Sequence, residues 1–249
     1  MTERPILFSG PMVKAILASR KTQTRRLVKP PPEWTEPGTA WTSGFLGDGS
    51  RAGVSWRAHH EEYPEEGSLL YRCPFGEPGD HLWVRETFRL ESNQEFLEPG
   101  HEPPHADGRP VRRHEEGWWE QPHYRATDPA PELDDGQGDG PGCRWTPSIY
   151  MPRWASRITL EVLQVRIERL RDISESDAAA EGAQHFPDIP SSHPYPRSAH
   201  RWSMESPTNT DQCLGSARMA FANFWIQLRG RDSWDDNPWV WAVTFQRKK

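Results

Sequence analysis

Apolar side chains are scarce in this 249-residue chain. Only 34% of residues are hydrophobic and the mean hydropathy is −0.88, against the roughly 45–50% (glycine included) usual in globular domains. A fully packed core of this length is excluded, so a smaller core carrying long, poorly packing additions is expected. No stretch approaches the roughly 18–20 consecutive apolar residues of a membrane span. Lys14 breaks the apolar run at residues 12–17, which removes the continuous centre of a secretion leader. The expectation is a cytoplasmic protein with no membrane partner. Cysteine is also rare: Cys73, Cys143 and Cys213 are odd in number, far apart and form no C-x-x-C pair. A disulfide framework is therefore not expected.

Proline (25) and tryptophan (13) are abundant instead. Of the ten histidines, none lies at ligand spacing with a cysteine. His59, His60, His101, His105, His114 and His123 fall in Pro/Gly/Glu-rich sequence and read as solvated loop residues. Neither a metal nor a cofactor is expected. The net charge of −6 is uneven. Residues 1–30 carry a balance of +6 and residues 91–140 a balance of −9. A cationic end on an acidic protein suits a localised anion site, whereas uniform basicity would suit non-specific polyanion binding.

Four segments show periodicity, together about 105 residues. In 5–29, Ser9-Gly10-Pro11 provides a cap and a proline start, and Met12, Val13, Ile16 and Leu17 predict a helix ending near Ser19. In 78–92, a single strand is expected after the Pro78-Gly79-Asp80 turn. Leu82, Val84, Glu86, Phe88 and Leu90 would share its apolar face. Glu86 on that face is either a pocket acid or the structural partner of an arginine, because an unpaired buried carboxylate is costly.

In 153–183, alternation changes parity between Val162 and Leu163, predicting a bulge. Ser174 then caps a short helix with Asp177 at its third position, closed by Gly182. Glu181 falls in its last turn, where the dipole disfavours negative charge, so the side chain is either exposed or held by a cation. In 216–249, Ser216 starts a helix with Phe221, Phe224, Trp225 and Leu228 as a core stripe, and residues 239–245 alternate as a closing strand. The remaining stretches, 30–77, 93–152 and 184–215, show no sustained periodicity. They are expected to drape over one domain as irregular insertions, with residues 148–151 a possible short strand. Their tryptophans argue against disorder.

The segment Ser19-Arg20-Lys21-Thr22-Gln23-Thr24-Arg25-Arg26 resembles the signature of ASCH domains, a family within the PUA-like β-barrels. That signature is a glycine, a lysine two residues on and an arginine five further. Lys21 and Arg26 match it, while Ser19 stands where glycine is usual. Pro78-Gly79-Asp80, the long 158–167 strand, the Ser174 helix and the closing strand follow the same order. The resemblance implies an α+β fold, a PUA-like (ASCH) mixed β-barrel with flanking short helices and long insertions. The tryptophan-rich ASCH proteins of bacteriophages and prophages are the most similar in character.

Small bacterial ASCH members that remove the acyl group from N4-acetylcytidine carry a similar Arg-Lys-Thr-x-Thr-x-Arg motif. That similarity implies catalytic roles for Lys21, Thr24 and Glu181. A threonine hydroxyl needs a base, and Lys21 can serve if desolvation and the neighbouring arginines lower its pKa. Arg20, Arg25 and Arg26 would bind the anionic part of the substrate or nucleic acid. Trp83 or Trp154 would wall the base, with Glu86 nearby. The resemblance thus implies a modified nucleoside or nucleotide, or single-stranded nucleic acid, as partner, with amidohydrolase activity as its sharpest form. A non-catalytic RNA- or DNA-binding module is the alternative, and a ribonuclease using the same basic groove is a third. In the plainest reading, Lys21, Arg26 and Glu181 form only a salt-bridge network.

Overall fold

A computed structural model describes residues 1–29, 39–46, 53–60, 69–92, 108–129, 144–190 and 201–248. Cys143, His101 and His105 lie outside the described residues, as do parts of all three expected insertions.

The chain is a mixed α+β structure with several sheets and a few short helices. β1 (Glu3–Leu7) leads into α1 (Gly10–Leu17), then β2 (Gln23–Leu27). α1 starts at Gly10 with Pro11 in its first turn, as expected, and buries Val13, Ala15 and Ile16, but the Ser9 side chain makes no cap hydrogen bond. After α1, Ser19 takes φ +57°. Left-handed backbone costs a non-glycine residue roughly 1–2 kcal/mol, which is the physical reason a glycine suits this position.

β3 (Thr39–Leu46), β4 (Gly53–His60) and β5 (Leu69–Arg72) form an antiparallel three-stranded sheet, so part of the 30–77 stretch is regular rather than irregular. The single strand expected over 78–92 is two. β6 (His81–Arg85) belongs to the main sheet, and β7 (Phe88–Ser92) to a second one with β8 (Arg112–Arg113) and β9 (Trp119–Tyr124). Glu86 and Thr87 are the joint between them.

Residues 148–150 form a 3-10 turn, not a strand. β10 (Thr159–Arg169) slips register between Val162 and Gln164, the bulge that the parity change predicts. α2 (Glu175–Ala180) is capped by Ser174, whose Oγ accepts from the Asp177 amide at 3.0 Å. Gly182 closes it at φ +115°. β11 (Gln184–His185) and β12 (Trp202–Ser203) pair briefly. α3 (Ala217–Arg229), capped by Ser216, is followed by α4 (Asp232–Asp235) and β13 (Trp239–Arg247). Phe221, Phe224 and Trp225 are buried on α3, whereas Leu228 is exposed and leaves the expected stripe.

The main sheet runs β1-β6-β10-β13-β2, with β1 and β6 parallel and the other neighbours antiparallel. Laid flat, β1 and β2 would stand about 19 Å apart at 4.8 Å per strand. Instead the Arg26 guanidinium on β2 donates to the Leu7 carbonyl on β1 at 2.5 Å, and the Phe8 and Phe245 rings lie 6.1 Å apart. The sheet is therefore strongly curled, although no ladder joins β1 to β2 among the described pairings.

Period-two alternation covers both faces of the sheet. Trp241, Val243 and Phe245 pack inward with Ile6, Ile16, Leu82 and Leu160. Val240 points the other way, into a cluster with Ile173, Phe221 and Trp225 beneath α2 and α3. Among the described residues no helix is long and apolar enough to cross a membrane.

Candidate functional site

The start of the segment from Arg20 to Arg26 is pinned between two helix ends. The Arg20 and Lys21 amides donate to the Ala15 carbonyl as α1 ends, and the Thr22 amide donates to Ala180 O at the end of α2, 2.8 Å away. This seats Lys21 against the C-terminus of α2. Its Nζ donates to Glu181 Oε2 at 2.6 Å and to the Glu181 carbonyl at 2.7 Å. The two side chains are 0% and 3% exposed. Glu181, placed against a helix dipole, is thus held by a cation, the second of its two expected readings.

Arg25 completes the arrangement. Its guanidinium makes five hydrogen bonds, to Gln23, Glu181, Asp177 and twice to Glu168. These occupy all five guanidinium N–H donors, so Arg25 positions Glu181 rather than gripping a ligand. Arg166 joins Glu168 and Asp177 at 3.4 and 3.2 Å. Three cations (Lys21, Arg25, Arg166) balance three carboxylates, in a network buried at Lys21, Arg25 and Glu181 and reaching the surface at Arg166. Burial pulls the Lys21 ammonium below its ordinary range; Glu181 opposes this, and Arg26 and Arg25 add to it.

Cross-strand partners share a face of a sheet. Thr24 pairs with Val243 and Arg26 with Trp241, so both look toward the inner core, while Gln23 and Arg25 look toward α2 and α3. Thr24 is 1% exposed. Arg26 lies 5.1 Å from the Phe8 ring, and Lys21 Nζ 5.7 Å from the same ring. Lys21, Arg25 and Glu181 are thus brought into contact, whereas Thr24 and Arg26 lie on the opposite face of β2 from Arg25, and among the described residues no hydrogen bond joins Thr24 to Lys21 or Glu181.

Glu86 is 2% exposed and accepts two hydrogen bonds from Arg157, at 2.9 and 3.0 Å. Burial raises its pKa and Arg157 pulls it back. It is an arginine partner and also lines a cavity of about 560 Å³, together with Lys14, Arg20, Arg125, Gln184 and Met204. Lys21, Thr24 and Glu181 are not on that lining; the cavity comes near them at Met204, since a Cβ at Gly182 would meet Lys21 Cβ at 3.7 Å and Met204 Cε at 4.0 Å.

Trp83 and Trp154 are not on its lining. Trp83 lies under Arg85 and Arg153, and Trp154 packs beside Phe88 and Tyr124 with Arg112 above it. Sequence reasoning missed Lys14, Arg125 and Gln184. Lys14 is visible only as the polar member of α1, and the other two lie in stretches without periodicity.

His123 departs from the solvated-loop expectation. It is buried on β9, with Nε2 against Glu91 and Nδ1 3.7 Å from Asp128. His114 stacks on Trp118, its ring centroid 3.4 Å away. Among the described residues no group of three or more His, Cys, Asp or Glu side chains is placed to hold a metal. No family model matches the chain, and no curated protein or solved structure matches it.

Proposed function

We propose that the chain is an ASCH-type protein of PUA-like architecture that recognises a nucleobase-containing ligand. In this reading Lys21, Thr24 and Glu181 deacylate an N4-acylated cytidine. The observation that carries it is the buried contact between Lys21 and Glu181, the lysine and glutamate of the resembling motif. The strongly curled sheet is in keeping with the barrel architecture.

Neutral Lys21 takes the proton of the Thr24 hydroxyl as Thr24 Oγ attacks the acyl carbonyl carbon. The tetrahedral adduct collapses by breaking the bond to N4, which leaves with the proton returned from Lys21. Water then hydrolyses the acyl-threonine, releasing a carboxylic acid and restoring the hydroxyl. Glu181 orients Lys21, and burial favours the neutral amine that the first step needs.

A second reading, a non-catalytic nucleotide-binding module, is favoured by one specific observation. Both side chains of the Lys21–Glu181 pair are buried and paired, while the cavity beside them is open and lined by cations. Incubation with N4-acetylcytidine, following cytidine release, separates the two readings. Release that disappears in Thr24→Ala supports the amidohydrolase. Binding without turnover supports the module, and turnover unchanged in Thr24→Ala removes the proposed nucleophile.

A further inference from the structure

We infer that the cavity beside the Lys21–Glu181 pair seats a phosphate group, so that the ligand is a nucleotide rather than a free nucleoside. This rests on the nucleobase reading above and specifies its substrate class. Lys14 from α1, Arg20 from the α1 exit and Arg125 from the end of β9 line the cavity from two separate segments. Among the described residues, none of their side chains makes an ion pair or a hydrogen bond. The contrast with Arg25, all of whose donors are engaged, is marked in a chain whose net charge is −6. Three cations without ion-pair partners on one lining favour an anion there.

Two acids share the lining, Glu86 and Glu205. Glu86 is answered by Arg157, so among the described lining residues Glu205 alone offsets the three cations and leaves a surplus of two positive charges. That surplus matches a phosphate dianion better than a single carboxylate. The first turn of α1 adds to it in the same sense. Ser9 and Gly10 are on the lining, the Ser9 side chain does not cap the helix, and the positive end of the helix therefore opens on the cavity.

The volume, about 560 Å³, falls within the range of small-ligand sites, so the space suits one nucleotide. Met204 and Ala126 supply apolar surface for a ring, with Gln184 available to its polar edge. The phosphate end thus lies on Lys14, Arg20 and Arg125, with the base toward Met204 and Ala126.

Calorimetric titration of the full chain with cytidine, cytidine 5′-monophosphate and inorganic phosphate tests this, on wild type and on a Lys14→Gln/Arg125→Gln double variant. Both positions are exposed, and circular dichroism verifies that the variant is folded. The monophosphate is expected to bind at least about tenfold more tightly than cytidine. In the double variant that advantage falls below about twofold while cytidine affinity holds. Equal affinity for the two in wild type overturns the inference and leaves the nucleobase reading standing, as does an advantage that survives in the variant.

Inorganic phosphate binding that the variant loses, with no binding of cytidine or its monophosphate, keeps the anion site and removes the nucleobase reading. No binding of any probe overturns both. A hexadeoxycytidine arm identifies the source of the phosphate. A single strand that engages several phosphates shows a salt slope of about 0.7 per phosphate, whereas affinity equal to the monophosphate points to the free nucleotide.

Discussion

Lys21 donates from one ammonium to two oxygens of the same residue, the side-chain Oε2 and the main-chain carbonyl of Glu181, at 2.6 and 2.7 Å. The carbonyl is among those that a helix C-terminus leaves without an intrahelical partner. One lysine therefore neutralises the carboxylate that the dipole disfavours and satisfies a terminal acceptor of α2. The pair joins the exits of two helices 160 positions apart, so its loss affects both the chemistry and the local fold.

Because burial lowers the Lys21 pKa in the folded state, the unfolded chain binds more protons from that lowered value up to the ordinary lysine value of 10.5. Stability contributed by Lys21 therefore rises with pH across that window. Cys73, whose thiol is pushed up to about 12 by burial, works in the opposite sense above pH 9. Denaturant titrations between pH 7 and 9, comparing wild type with Lys21→Met, isolate the lysine. Wild type is expected to gain stability relative to the variant as pH rises. A constant difference would show that Lys21 stays charged throughout.

Glu181→Gln removes the group that most strongly favours the charged lysine. The variant is expected to lose about 3–5 kcal/mol at pH 7, the usual cost of stripping one partner from a buried pair, and part of that loss returns at alkaline pH as Lys21 deprotonates. If N4-acetylcytidine is turned over, the midpoint of the rising limb of its pH–rate profile shifts to lower pH. A shift to higher pH would contradict the pairing.

Arg157→Met leaves Glu86 buried with a raised pKa and no counter-ion. A carboxyl raised in the folded state makes folding costlier as pH climbs through and above its unfolded value of 4.5, because the ionised form is the disfavoured one. The variant is expected to be destabilised by about 3 kcal/mol at pH 7 and by visibly less at pH 5. Thermal unfolding at the two values checks this, and equal losses would locate the effect in packing against Tyr124, which lies 3.8 Å from the Arg157 guanidinium.

Ser19→Gly relieves the left-handed backbone at the α1 exit. The relief of roughly 1–2 kcal/mol is partly offset by the extra entropy of glycine in the unfolded chain, so a net gain of about 0.5 kcal/mol is expected. Urea unfolding measures it. A loss of stability would show that the serine hydroxyl contributes more than the strain costs.

The α1 helix, the Ser174 and Ser216 caps, the Gly182 termination and the β10 bulge were legible because each depends on neighbours a few residues apart. The split of residues 78–92 into β6 and β7 was not. Its alternation continues unbroken through Glu86, and the break occurs because Val84 pairs with Ile6 on β1 while Phe88 pairs with Tyr124 on β9. β9 was hidden for a similar reason: Pro122 within it is a residue that normally argues against a strand. Of the site, Lys21, Thr24 and Glu181 were named through the motif resemblance. The engagement of Arg25 and the gathering of Lys14 and Arg125 around one cavity were not legible.

By itself the sequence determined that the core would be small, that its elements would begin and end where caps, glycines and parity changes stand, and that positive charge would collect in the first thirty residues. These follow from composition and from backbone preferences acting over one or two turns. Only the tertiary structure decided which charges are spent and which are left over. Arg25 is enclosed by carboxylates from β10 and α2, whereas Arg20, five positions earlier, faces an open cavity. Curling of the sheet and docking of α2 against the α1 exit make that distinction, because electrostatic partnership depends on distance in space and burial, which strand pairing sets across more than a hundred residues.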